Sequence, residues 1–352
     1  MFDEDTELEG KGFWVQTFDL GRDYDGAVTA ALVRRPRHKA RRAAVLYLHG
    51  FVDYFFQDHM ADFFEAGHAT PSGPRGLDFF ALDLRKYGRA LPSDYPYPNF
   101  CKDVAEYFPE ITKALALIKQ DGYEWVLLAG HSTGALIAVR YLQEGSSRGD
   151  VDALFLNSPF LEFNHQQNSK AAITLARWLG GAIPHGHAGG GVSRWYARSL
   201  HNACADCHGQ WTFNLRLKPL DGFPTYFGWV RAIANAHQAA RTGGVACPVL
   251  VLHSARSLKP DEKTWRNEYK TADLVLDVED MKRIAPSLGS AVTIGEIDGG
   301  MHDLVLSEAP VRATVFRKLS QWLDSLPVSP FRTDTWRPSG DPPRPEPKPP
   351  SS

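Results

Sequence analysis

The chain has little that would mark a disulfide scaffold, a membrane protein or a nucleic-acid binder. Its 352 residues hold four cysteines, Cys101, Cys204, Cys207 and Cys247, too few to staple a fold of this size. Neither sign of charge dominates. The formal net charge of -2 supplies no field for nucleic acid or an anionic membrane, and neither is expected as a partner. No run of about 18 uncharged apolar residues occurs, so neither a transmembrane helix nor stable membrane insertion is expected. The opening Met1-Phe2-Asp3-Glu4-Asp5 is acidic and lacks an apolar core. It does not read as a secretory leader, and a cytoplasmic location is expected. No internal repeat is visible.

What the chain does have is a rhythm of short apolar runs. Residues 12–17 and 27–33 read as two strands joined at the turn Asp23-Tyr24-Asp25-Gly26, hence a hairpin. Runs at 43–48, 77–84, 125–129 and 152–157 lack polar alternation, as strands buried on both faces do. Helical periodicity lies between several of them, as at 104–120. This is the βαβ pattern of an α/β sheet. The rhythm breaks after Ser158-Pro159 and resumes with strands at 248–253 and 291–297 and a helix at 310–323. Residues 1–158 and 245–327 therefore read as two parts of one core, and 159–244 as an insertion over its site. Within the insertion, 168–179 and 224–241 read as helices and the glycine-rich 184–191 as a flexible connection. The proline-rich 328–352 cannot bury a core and reads as a disordered tail.

Gly130-His131-Ser132-Thr133-Gly134 sits between the strand at 125–129 and the helical run that follows. The context matters more than the five letters. A strand turning sharply into a helix pushes a serine out at the end of a sheet, and small residues are needed on both sides of that crowded turn. The new helix also offers unpaired N–H groups to a developing negative charge.

A serine nucleophile needs a base, and the base needs an orienting carboxylate. His302, in the glycine-rich loop after the last strand, is the candidate base. The acid is expected after the strand at 248–253, where Asp273 and Asp277 are candidates. Asp261, Glu262, Glu268, Glu279 and Asp280 lie nearby, and spacing alone does not choose among them. For the oxyanion, one N–H donor is expected from Thr133 and the other from the loop His49-Gly50-Phe51-Val52, with Phe51 the best single choice. His49 reads as structural.

Five pieces in order carry a resemblance. They are Leu48-His49-Gly50-Phe51, Asp83-Leu84-Arg85-Lys86-Tyr87-Gly88, Gly130-His131-Ser132-Thr133-Gly134, Ala272-Asp273-Leu274-Val275-Leu276-Asp277 and Gly300-Met301-His302-Asp303. With these the chain resembles the α/β-hydrolase superfamily, in the branch of monoacylglycerol lipases, lysophospholipases and serine aminopeptidases. The resemblance implies an α/β-hydrolase fold with a mostly parallel central sheet flanked by helices and a largely helical cap at 159–244. It also implies a triad of Ser132, His302 and Asp273, the last because the family's acid opens a D-x-V/L-x motif; Asp277 is the runner-up. The chain departs from the family's R-G-H-G motif at Arg85-Lys86-Tyr87-Gly88.

The expected function is hydrolysis of carboxylic esters through an acyl-enzyme, with a small-molecule ester as partner and no cofactor or metal. Cap aromatics (Trp178, Trp195, Trp211, Phe223, Phe227, Trp229) favour an apolar acyl chain. The rivals are amide or peptide hydrolysis, which an acidic cap residue holding a substrate amine would favour, and a non-catalytic binding module. Glu162, Asp206 and Asp221 are the cap's few acids. Cys204-Ala205-Asp206-Cys207-His208 has haem-attachment spacing, and with neighbouring histidines it could ligate zinc. The plainer reading is two redox-sensitive thiols in the cap. The sequence does not fix an oligomeric state.

Overall fold

The computed structural model describes residues 6–8, 11–38, 41–66, 68–70, 73–189 and 191–327. The expected tail at 328–352 lies outside the described residues. At the N-terminal side, β2 (Phe13–Asp23) and β3 (Gly26–Arg34) form the expected antiparallel hairpin, and β1 (Thr6–Leu8) adds antiparallel to β2. Then come β4 (Ala43–Leu48), α1 (Asp58–Ala66), a small ribbon of β5 (His68–Thr70) and β6 (Gly73–Arg75), and β7 (Asp78–Asp83). They are followed by α2 (Phe108–Gln120), β8 (Trp125–His131), α3 (Thr133–Glu144) and β9 (Ala153–Asn157). Helices α4 (Lys170–Ala182), α5 (Arg194–Leu200) and α6 (Phe227–Ala240) separate β9 from β10 (Val249–Ser254). The described chain closes with α7 (Val278–Ile284), β11 (Val292–Ile297) and α8 (Ala309–Ser325).

The main sheet has the order β1-β2-β3-β7-β4-β8-β9-β10-β11, with every neighbouring pair from β7 to β11 parallel. Along β4, Ala44, Leu46 and Leu48 enter one core and Ala43, Val45 and Tyr47 the other. Both faces are therefore covered, which is why these strands lack polar alternation. This is the α/β-hydrolase architecture, a mostly parallel sheet flanked by helices. From β4 the chain moves to β7 on one side and returns to β8 on the other. The carboxyl ends of β4 and β8 thus face a crevice at a point where strand order reverses, the usual place for a ligand in such sheets.

Two expectations need correction. Residues 184–189 are tethered rather than a free connection. His185 Nε2 lies 2.9 Å from Asp25 Oδ1 and its ring stacks on Tyr97, while the N–H of Ala188 donates to Thr225 O at 2.8 Å. Glycine content suggested mobility, but a partner 160 residues away supplies the anchor. Cys204 and Cys207 are not two free thiols; they are joined in a disulfide. Among the described residues no helix is long and apolar enough to cross a membrane.

Candidate active site

The sharp turn expected at the end of β8 is present. Ser132 takes φ 52° and ψ -116°, a left-handed conformation that costs roughly 1–3 kcal/mol for a residue with a side chain. Neighbours hold it there: its N–H donates to Asn157 O, and its carbonyl accepts from the N–H groups of Ala135 and Phe160. The flanking glycines are sterically required. A Cβ on Gly130 would lie 2.7 Å from the Ala135 backbone, and one on Gly134 would lie 2.2 Å from His49 O. Gly134→Ala is therefore expected to destabilise the fold by ~2 kcal/mol or more through overpacking between α3 and β4. Urea melts check this; a midpoint equal to that of the unsubstituted protein would contradict the close approach.

The structure brings Ser132, His302 and Asp273 together from three loops. The Ser132 hydroxyl lies 3.0 Å from His302 Nε2, and His302 Nδ1 lies 2.8 Å from Asp273 Oδ2. With the proton on Nδ1, the imidazole donates to the carboxylate and its Nε2 can accept the serine proton. All three are buried, Asp273 completely. Asp273 Oδ1 accepts from the N–H groups of Val275 and Leu276, both at 2.8 Å, which leaves Oδ2 aimed at the histidine. Asp277 sits elsewhere. It caps α7 by accepting from the Glu279 N–H at 3.0 Å, and its other oxygen accepts from Gln166 at 2.9 Å.

The loop carrying His302 is fixed from β9. Asn157 Nδ2 donates to Asp303 Oδ1 at 2.7 Å, and Asn157 Oδ1 accepts from the Leu304 N–H at 3.2 Å. The rings of His131 and Tyr196 pack on His302 at 4.9 and 5.4 Å between centroids. Burial lowers the pKa of His131 and favours its neutral form. His49 is structural: Nδ1 donates to Gly50 O at 2.8 Å and Nε2 accepts from the Leu84 N–H at 3.1 Å.

Phe51 and Thr133 both line the cavity at Ser132. The next N–H along the first loop, that of Val52, is committed to Asn99 Oδ1 at 3.2 Å, so Phe51 rather than Val52 is the free candidate in that loop. Beneath the serine, Asp53, His131 and Asp303 place ligand atoms within 4.8 Å of one another. This group is already engaged. Lys218 Nζ stands 2.9 Å from Asp53, Gln57 and Asn157 donate to Asp303, and the His131 Nδ1 donates to Asn157 O. The lysine ammonium thus fills a cation's role. Burial would raise the pKa of Asp53, but the adjacent Lys218 ammonium outweighs it and holds it low.

The departing motif is structural. Arg85 pairs with buried Glu110 at 2.7 Å, and Lys86 pairs with Asp23 at 2.7 Å and Asp25 at 2.9 Å, tying the hairpin turn to the segment after β7.

The cavity has a volume of about 330 Å³ and is walled by Phe160, Phe163, Ile173, Ala176, Val230 and Leu276, with Asp53, Asn164, Gln167 and Asn168 among its polar members. Of the six cap aromatics singled out above, only Trp229 lines it. Trp178 is 72% exposed. Trp195 packs against Trp265, and Trp211 donates its indole N–H to Leu306 O at 2.7 Å. The three cap acids are all paired with arginine: Glu162 with Arg241, Asp206 with Arg194 and Arg198, and Asp221 with Arg198. Sequence reading missed the Lys218–Asp53 pair and the Asn157–Asp303 support. The adjacency of Asp53 to the oxyanion loop and of Asp303 to His302 was the available signal.

A family model described as serine aminopeptidase, S33, matches residues 39–257. Among solved structures, the chain is similar to a soluble variant of monoglyceride lipase from Saccharomyces cerevisiae, with 17% identity, 86% of this chain and 92% of that one covered, and a TM-score of 0.62. A lipase in its open form matches at 18% identity and TM-score 0.55, covering 88% of this chain and 98% of that one. A putative hydrolase from Agrobacterium vitis S4 matches at 17% identity and TM-score 0.54, with the same shares covered. No curated protein matches the chain.

Proposed function

The chain belongs to the serine aminopeptidase S33 family of α/β-hydrolases, and from that premise we propose that it cleaves carboxylic esters of apolar acids through an acyl-enzyme. The observation that carries this reading is the hydrogen-bonded relay from Ser132 through His302 to Asp273, opening onto a largely apolar cavity. Ser132 Oγ attacks the ester carbonyl carbon while its proton passes to His302 Nε2. The Asp273 carboxylate stabilises the imidazolium that results. The carbonyl oxygen, now negative, accepts from the N–H groups of Phe51 and Thr133, each donor contributing on the order of 10²–10³ in rate. The C–O bond breaks, the leaving alkoxide takes the proton from His302, and an acyl-serine remains. Water then repeats the sequence, with His302 as base, and releases the acid.

The yeast monoglyceride lipase was solved with a substrate analog, and a lipid-like ester suits the apolar walls here. Amide hydrolysis in the manner of an aminopeptidase is less well supported. Every acid of the insertion is engaged by an arginine, and Asp53, the acid lining the cavity, is engaged by Lys218. Neither the insertion's acids nor Asp53 lacks a compensating cation, which leaves a substrate amine little to gain there. A non-catalytic module would have no need of the relay.

A series of p-nitrophenyl esters of increasing acyl length tests the reading, with a fluorophosphonate probe alongside. Turnover is expected to have a length optimum. Ala176→Trp, which fills the cavity from α4, is expected to move that optimum to shorter chains and lower kcat/KM on the longest by about tenfold or more. An unchanged length profile would contradict the assignment of this cavity to the acyl chain, and absence of both turnover and labelling would end the hydrolase reading.

A further inference from the structure

We propose that Lys218 and Asp53 form a buried clamp that positions the oxyanion loop, a role that rests on the hydrolase reading above. Lys218 comes from the insertion, between α5 and α6, whereas Asp53 follows Phe51 and Val52 at the exit of β4. The lysine ammonium lies 2.9 Å from Asp53 Oδ1 and 3.4 Å from Val52 O, and its side chain is only 3% exposed. The rings of Phe56, Tyr196 and Phe213 stand 5.4 to 5.8 Å from it. A lysine so enclosed must be paired to remain charged, so its geometry is tightly determined.

What it holds is a strained turn. Val52 has φ 51°, a left-handed conformation that a β-branched side chain strongly disfavours. Its N–H is pinned by Asn99 Oδ1 and its carbonyl by Lys218. The peptide units on both sides of Val52 are thereby fixed, and with them the approach of the Phe51 N–H to Ser132. Without the ammonium, Val52 is free to relax toward negative φ, which would swing the neighbouring peptide units and move the donor. Displacements of about 1 Å in such a donor are worth on the order of 100-fold in rate. Lys218 and Asp53 are therefore positioning residues: neither touches the reacting atoms, and both act through the loop.

The test compares the full-length protein with Lys218→Met, with Asp53→Asn/Lys218→Met, and with each of these carrying Val52→Gly. Each is assayed on a short p-nitrophenyl ester together with its thermal melt. Lys218→Met is expected to lose about 100-fold in kcat with KM changed by less than about threefold, since the donor acts on the transition state. The double variant removes both charges, so no unpaired carboxylate is left buried, and it is expected to fold and show the same loss. Glycine adopts left-handed backbone without a Cβ clash, so adding Val52→Gly is expected to restore kcat by about tenfold or more. A simple tether between insertion and core would not be rescued this way. A folded double variant with wild-type kcat, or a kcat loss that Val52→Gly leaves untouched, would overturn the clamp while leaving the hydrolase reading intact. An unsubstituted protein without turnover would instead overturn the hydrolase reading, and the clamp with it.

Discussion

Replacing Ser132 by alanine is expected to lower kcat on p-nitrophenyl esters by on the order of 10⁴- to 10⁶-fold, with little change in KM. In the proposed mechanism the Ser132 oxygen bonds to the acyl carbon, and no neighbour can substitute for it. Thr133, the nearest hydroxyl in sequence, belongs to the first turn of α3, whereas it is Ser132 Oγ that lies 3.0 Å from the His302 Nε2. Removing one small polar group from the cavity barely changes substrate binding, so the loss falls on kcat. The oxyanion donors and the bound geometry remain, and a residual acceleration over water is expected from them. Steady-state kinetics with active-site titration checks this. Retention of more than a few per cent of wild-type kcat would show that the nucleophile lies elsewhere.

The second large effect separates two aspartates four positions apart. Asp273→Asn is expected to lower kcat by about 10⁴-fold, because a neutral amide cannot stabilise the imidazolium and its N–H₂ favours the wrong histidine tautomer. Asp277→Asn is expected to leave kcat within about twofold, since asparagine also caps a helix well. Asp277→Ala should instead cost ~1 kcal/mol of stability through loss of the α7 cap. The pair is read from kcat for all three variants and denaturant melts for the last two. A large kcat loss confined to the Asp277 variants would reverse the assignment.

These two residues also show what the sequence can and cannot reveal. The strands were legible because a parallel sheet buried on both faces imposes continuous apolar runs; β4 falls at 43–48 as read. Ser132 was legible because strand, turn and helix requirements coincide within a dozen residues. His302 followed from its place after the last strand. Which aspartate meets His302 did not resolve from spacing, since what places Asp273 there is the path of a loop that presents two N–H groups to one of its oxygens. A local sign was nevertheless available for Asp277, which precedes Glu279 and Asp280 at the start of a helix, as an N-cap does. Features that depend on distant partners were not legible. Lys218 meets Asp53 across 165 residues, and His185 meets Asp25 across 160. The cap aromatics could be counted from the sequence. Which of the six singled out faces the cavity is decided by the path of the folded insertion, and of those six Trp229 does.

The central claim is that Ser132 is the group acylated during turnover. Treating the protein with a fluorophosphonate and mapping the adduct by peptide mass spectrometry tests it most directly. One adduct per chain on Ser132, absent from Ser132→Ala and slowed while a slowly deacylating ester keeps the serine acylated, is the predicted result. Labelling at another residue, or undiminished labelling of the alanine variant, would contradict the account.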